Sequence, residues 1–177
     1  MIDAPAGNGL LTVDEADRLY PNDNIEVHRG EVLMMPAPSS RHQALVEKIL
    51  EDFKAWFRGK PCKPMFGREV RLSEHIRYIP DAVVLCDRSK LTEAGIEGAP
   101  DLVVEVKSPS TGDFDTGEKR LEYLKAGVRE YWVLDPVKAI GIRWVNGETD
   151  VEMVANQMES SIFQGLALDL RVGLWEE

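Results

Sequence analysis

Apolar positions recur along this chain with two periods, and the changes of period mark its elements. Leu45, Val46, Ile49, Phe53, Trp56 and Phe57 follow the helical period behind a Ser40–Gln43 capping box, which predicts a long helix from residue 40. On a wheel of about 100° per residue, His42 falls inside that apolar stripe and Glu47 about 140° away from it. A shorter helix opens at Thr12, boxed by Glu15 and closed by Pro21. Residues 25–35 alternate around Arg29-Gly30 and read as a hairpin with Glu31 opening its second strand; Pro36 and Pro38 end it.

Residues 59–67 carry two prolines and read as a connection, followed by a strand at 68–72. The run 76–86 is β-type but broken by Pro80, so its paired part is expected to begin at Asp81. Residues 89–98 read as a short helix or loop, 99–107 (APDLVVEVK) as a strand and 108–112 as a polar turn. A helix over 113–126 ends at Gly127, a left-handed cap. A buried-type strand at 130–135 is followed by a hairpin, 139–145 with 150–155, around Asn146-Gly147. The tail from Ile162 is apolar enough to pack back onto the body. Asp115, Lys119 and Tyr123 share one face of the 113–126 helix, with Leu121 and Leu124 toward the other; such a polar stripe ordinarily faces solvent.

At 177 residues the chain is read as one domain, with 1–24 as a lead-in to a core over 25–170. The net charge of −10 argues against a general nucleic-acid coating protein. Between Arg41 and Arg71, however, eight basic residues face four acidic ones, leaving open either a basic rim or an ordinary solvated helix and loop. Two cysteines, Cys62 and Cys86, and an opening without a basic-then-apolar leader indicate neither secretion nor a disulfide framework, so a reducing cytoplasm is the default expectation. No apolar run approaches the roughly 20 residues that span a bilayer, and no membrane role is expected.

The chemistry gathers on the strand 99–107. Glu105 and Lys107 leave the same face, placing a carboxylate and an ammonium roughly 6–7 Å apart. That pairing suits phosphodiester hydrolysis, with a metal on the carboxylate and the lysine handling the water. A second carboxylate is needed. Asp101 stands about 13 Å along the strand from Glu105, too far to share an ion. Asp81, on another strand, can be brought alongside by pairing, and the Val106 carbonyl could add a third oxygen for Mg²⁺, with Mn²⁺ as a substitute. His28, His42 and His75 have no zinc spacing, and no glycine-rich phosphate loop is present.

The segments Glu31 after Gly30, MPAPSSRHQ with His42, RYIPDAVV, GIEGAPDLVVEVKSPST, DTGEKRLEY and AGVREYWVLDP together resemble the Uma-type family of restriction-endonuclease-like proteins, within the PD-(D/E)xK nuclease superfamily. The resemblance runs from about residue 25 to 170. It implies an α+β, restriction-endonuclease-like fold, a mixed sheet flanked by helices, here with extra hairpins toward both ends. It also implies a metal-dependent endonuclease acting on DNA, with Asp81 and Glu105 as ligands and Lys107 as catalytic lysine. Glu31, His42, Lys119 and Tyr123 match motif positions and would support the site or contact phosphate. Relatives often lack a lysine where Lys107 stands, whereas this chain has the complete ExK. A homodimer is expected because such nucleases often pair to cut two strands. The alternative is a nucleic-acid-binding or structural module that keeps the fold without turnover.

Overall fold

The computed structural model describes residues 10–108 and 112–173. The leader reading at the first residues and most of the polar turn at 108–112 lie outside the described residues. Helix α1 (Val13–Leu19) carries the Thr12–Glu15 capping box in full. Strands β1 (Ile25–His28) and β2 (Glu31–Met34) form the expected hairpin. Its turn places Arg29 at φ 49° and Gly30 at φ 83°, the doubly left-handed conformation that matches strand twist in two-residue hairpins. Gly30 has a second constraint, since a Cβ there would lie 2.5 Å from Leu10 Cβ.

Helix α2 (Ser40–Trp56) is capped one residue earlier than expected: Ser39, not Ser40, accepts a bond from the His42 amide. The next elements are β3 (Lys63–Phe66), β4 (Val70–Ser73), β5 (Ile76–Tyr78), β6 (Ala82–Leu85), β7 (Ile96–Glu97) and β8 (Leu102–Val106). They are followed by α3 (Gly112–Thr116), α4 (Glu118–Ala126), β9 (Glu130–Asp135), β10 (Ile140–Val145), β11 (Val151–Ala155), β12 (Gln157–Glu159) and β13 (Ala167–Asp169).

Two mixed sheets dominate this α+β fold, one ordered β2-β1-β5-β4-β7 and the other β11-β10-β9-β8-β6-β3, with a small β12-β13 ribbon beside them. The run 76–86 is therefore two strands in different sheets. Pro80 cannot donate to a ladder, and the chain crosses between the sheets there, delivering Asp81 at the junction. The connection expected at 59–67 contains a strand, β3, because it lies on the sheet edge, where Pro64 is tolerated. Pairing of Lys63 with Leu85 continues to Cys62 and Cys86, which form a disulfide with Cα atoms 4.0 Å apart. The prolines around β3 mask it as a strand, so this neighbourhood has no local signal along the chain, and the expectation of no disulfide is corrected.

The six-stranded sheet is covered on both faces. Leu45, Ile49 and Phe53 of α2 and Phe57 at its C-cap, with Phe163, Leu166, Leu168 and Leu170 of the tail, pack on Val84, Val104 and Trp132. On the other face, Tyr123 of α4 and Val70, Tyr78 and Ile96 of the second sheet pack on Val83, Val103, Tyr131 and Val133. Each such side chain removed from water contributes about 1.5–3 kcal/mol. Double coverage leaves all five β8 residues buried, Glu105 included. The Glu130 carboxylate, also buried, accepts bonds from Trp132, Ser160, Ser161 and Ile162 and so anchors the tail.

The helix expected over 113–126 is interrupted at Gly117, whose ψ of −108° ends α3 before α4 begins. Gly127, at φ 105°, closes α4 as expected. The polar stripe turns inward: Asp115, Lys119 and Tyr123 are buried, while Leu121 is 51% exposed. Among the described residues, no helix is long and apolar enough to cross a membrane.

Candidate active site

The antiparallel pairing of β6 with β8 sets Ala82 opposite Val104, so the preceding Asp81 comes alongside Glu105. Asp81 Oδ2 accepts a 2.7 Å bond from the Val106 amide, which fixes the carboxylate against the end of β8. The amide and carbonyl of a strand residue point to the same neighbour, so the Val106 carbonyl also faces the Asp81 side. His42, on the first turn of α2, holds Nε2 3.3 Å from Asp81 Oδ2. Burial disfavours its charged form, but Asp81 and hydrogen bonding to the Val106 carbonyl outweigh that, and its pKa lies above the ordinary value. Ser39 capping and the apolar stripe of α2 aim this ring inward, as its wheel position implied.

Lys119 enters from α4. Its Nζ donates to Glu26 Oε1 at 2.8 Å, stands 2.9 Å from Glu105 Oε1 and lies 3.9 Å from Asp115 Oδ1. The contact with Glu105 is an ion pair that is not aligned as a hydrogen bond. Although only 1% exposed, this ammonium is held protonated: burial works against its charge, and Glu105, Glu26 and Asp115 overcome the penalty. The Glu105 pKa is likewise raised, well above the carboxylate range, which for an acid favours the neutral form. Burial is the largest cause there, opposed by Lys119 and reinforced by Asp115, Asp81 and Glu26.

These groups line a cleft of about 250 Å³ walled by Met35, Pro36, Val46 and Phe66. Four carboxylates, from Asp81, Glu26, Glu105 and Asp115, meet one ammonium and one imidazole. The crowding of carboxyl groups around one ammonium and the oxygen character of Asp81, Glu105 and the Val106 carbonyl fit a hard divalent cation that keeps several waters. An all-protein cage is a different matter: among the described residues, no three acidic, histidine or cysteine side chains are arranged to enclose an ion.

The remaining expected site residues fall elsewhere. Lys107 follows Glu105 on the same face, but its stem packs against the start of α3, where a Cβ on Gly112 would lie 2.0 Å from Lys107 Cε. It is not among the residues lining the cleft. Tyr123 lies beneath the cleft between Tyr78 and Tyr131, with ring centroids 5.1 and 5.5 Å away, and its buried hydroxyl has no hydrogen-bond partner among the described residues. Glu31 is exposed on β2 and borders an adjoining cavity of about 590 Å³ with His28 and Glu118, which shares Glu26, Met35 and Pro36 with the cleft. Asp101 accepts bonds from the Cys86 amide and Arg129, in keeping with a structural role at the opening of β8.

Sequence reasoning missed Glu26. Besides holding Lys119, its Oε1 accepts a 2.7 Å bond from the Ile79 amide, two residues before Asp81. The available signal was a carboxylate flanked by Ile25 and Val27 in a strand whose four positions are all buried.

A family model described as "Putative restriction endonuclease" (Uma2) matches residues 13–171. Among solved structures, the chain is similar to a protein of Anabaena variabilis ATCC 29413 described as "a putative nuclease belonging to DUF820". The two are 20% identical with a TM-score of 0.75, over 90% of this chain and 95% of that one. Comparison with curated proteins gives no match.

Proposed function

The chain belongs to the Uma2 family of restriction-endonuclease-like proteins, and from that premise we propose that it is a Mg²⁺-dependent endonuclease hydrolysing phosphodiester bonds in DNA. The observation that carries the reading is the β6–β8 register, which brings Asp81 beside Glu105 at a cleft shared with His42 and Lys119. Asp81, Glu105 and the Val106 carbonyl would hold Mg²⁺, or Mn²⁺ in its place. When bound, such an ion polarises the phosphate and lowers the pKa of its water. His42 keeps the Asp81 carboxylate oriented. Lys119, held charged by its carboxylates, acts as a fixed positive charge beside the developing phosphorane and not as a base. Glu26 ties that lysine to the segment leading into Asp81. Lys107 is assigned the outer position, orienting water at the end of β8.

A second reading, a fold retained without turnover, is favoured by one contact: the Lys119 ammonium already compensates Glu105, 2.9 Å away. Cleavage of supercoiled and single-stranded DNA in Mg²⁺ separates the two. The nuclease reading expects nicking by the wild type that Asp81→Ala and Glu105→Ala abolish. No cleavage by the wild type in Mg²⁺ or Mn²⁺ would overturn it in favour of the second reading.

A further inference from the structure

The second cavity of interest, about 560 Å³, lies where the end of α2 meets β3 and the loop after β6. Its charged lining is Lys54, Arg58, Lys60, Lys63 and Arg88, with no acidic side chain. All five are exposed except where Lys60 rests over the Trp56 ring, and none makes an ion pair among the described residues. Of the sixteen other Lys and Arg residues in this protein of net charge −10, eight (Arg29, Lys48, Arg71, Arg77, Lys119, Arg129, Arg143 and Arg171) are paired with carboxylates among the described residues; what sets the groove apart is five unpaired cations gathered with no acidic side chain among them. Cations on the last turn of α2 could be explained by the helix dipole alone. Lys63 on β3 and Arg88 beyond β6 could not, since they belong to other elements and converge on the same groove.

The groove is also placed in relation to the cleft. Edge strand β3 runs from Lys63 in the groove to Phe66 in the cleft wall, and its partner β6 runs from Leu85 back to Ala82 beside Asp81. Four residues of strand separate Leu85 from Asp81, about 13 Å. Along α2, His42 and Lys54 are about 18 Å apart. Double-stranded DNA carries a negative charge about every 1.7 Å of its axis, so a strand with one phosphate at Asp81 and Glu105 presents others within reach of the groove. The Cys62–Cys86 disulfide joins the two strands at this end.

We infer that the Lys54, Arg58, Lys60, Lys63 and Arg88 groove binds the phosphate backbone of the DNA flanking the cleft, giving an acidic protein a localised hold on a polyanion. This rests on the nuclease reading for the identity of the ligand but needs no catalysis to be measured. The test is fluorescence-anisotropy binding of a labelled 30-base-pair duplex without divalent metal, from 50 to 200 mM salt. It compares the wild type, Arg58→Gln/Lys63→Gln/Arg88→Gln, and the control Lys125→Gln/Lys138→Gln, with circular dichroism to verify folding.

Three lost phosphate contacts would reduce the slope of log affinity against log salt by about 2.7 for duplex DNA, so wild-type affinity should fall roughly 40-fold more than the triple variant's across that range. The control should match the wild type. Equal slopes for wild type and triple variant, or no duplex binding by the wild type at 50 mM, would overturn the groove assignment. Metal-dependent cleavage persisting alongside equal slopes leaves the nuclease reading standing without the groove. Groove-dependent binding with no cleavage leaves the groove standing without the nuclease reading.

Discussion

Lys119 and the cations of the groove show two opposite uses of positive charge. Lys119 is buried among Glu26, Glu105 and Asp115, and its charge is consumed in holding them together. The groove cations stand exposed and without carboxylates, and their charge is available to a partner. The difference shows why net charge is a poor guide to partners: what matters is which cations are left unpaired, and where.

The sharpest contrast is in stability. Lys119→Ala leaves buried carboxylates uncompensated and should destabilise the fold by about 3–5 kcal/mol in urea unfolding. Each groove substitution should stay within about 0.5 kcal/mol. Equal small effects would show that the buried cluster does not depend on its lysine. Next comes the crosslink at the groove. Cys62 and Cys86 are 24 residues apart, and closing a loop of that size stabilises by about 3 kcal/mol in the chain-entropy account. Cys62→Ser/Cys86→Ser should therefore lower unfolding stability by about that amount, while leaving the cleft's metal response in place. Removing a group that only orients a metal-binding carboxylate typically costs about 10- to 100-fold in activity. His42→Ala is expected in that range for cleavage, read as initial nicking rate at saturating Mg²⁺. The smallest effect is expected for Lys107→Ala, below tenfold, because Lys107 does not line the cleft; a loss larger than that of His42→Ala would move the principal lysine back to position 107.

Much of this was legible from the residues. Capping at Thr12, the Arg29-Gly30 turn, the α2 stripe with His42 inward and Glu47 outward, and the Gly127 stop each have local causes, and each stands in the structure. The preference for Asp81 over Asp101 came from strand length alone, and the register agrees with it. What escaped depended on long-range pairing. Edge strand β3 hides behind Pro61 and Pro64, so the Cys62–Cys86 contact was invisible. Crossing between sheets at Pro80 looks like one interrupted strand. The inward turn of Asp115, Lys119 and Tyr123 reverses the ordinary rule that charged stripes face water; it holds because Glu26, from a different sheet 93 residues earlier, supplies a partner for Lys119. Glu130 was equally opaque, a buried carboxylate in a strand whose partners are amides of the returning tail.

In the proposed function, Asp81 and Glu105 together hold a divalent metal ion. Crystals soaked in Mn²⁺ test it most directly through the anomalous signal. One strong peak is expected between the Asp81 and Glu105 carboxylates, beside the Val106 carbonyl, and it should disappear in Asp81→Ala crystals soaked alike. A soak with no peak there, or a peak unchanged by Asp81→Ala, would contradict it.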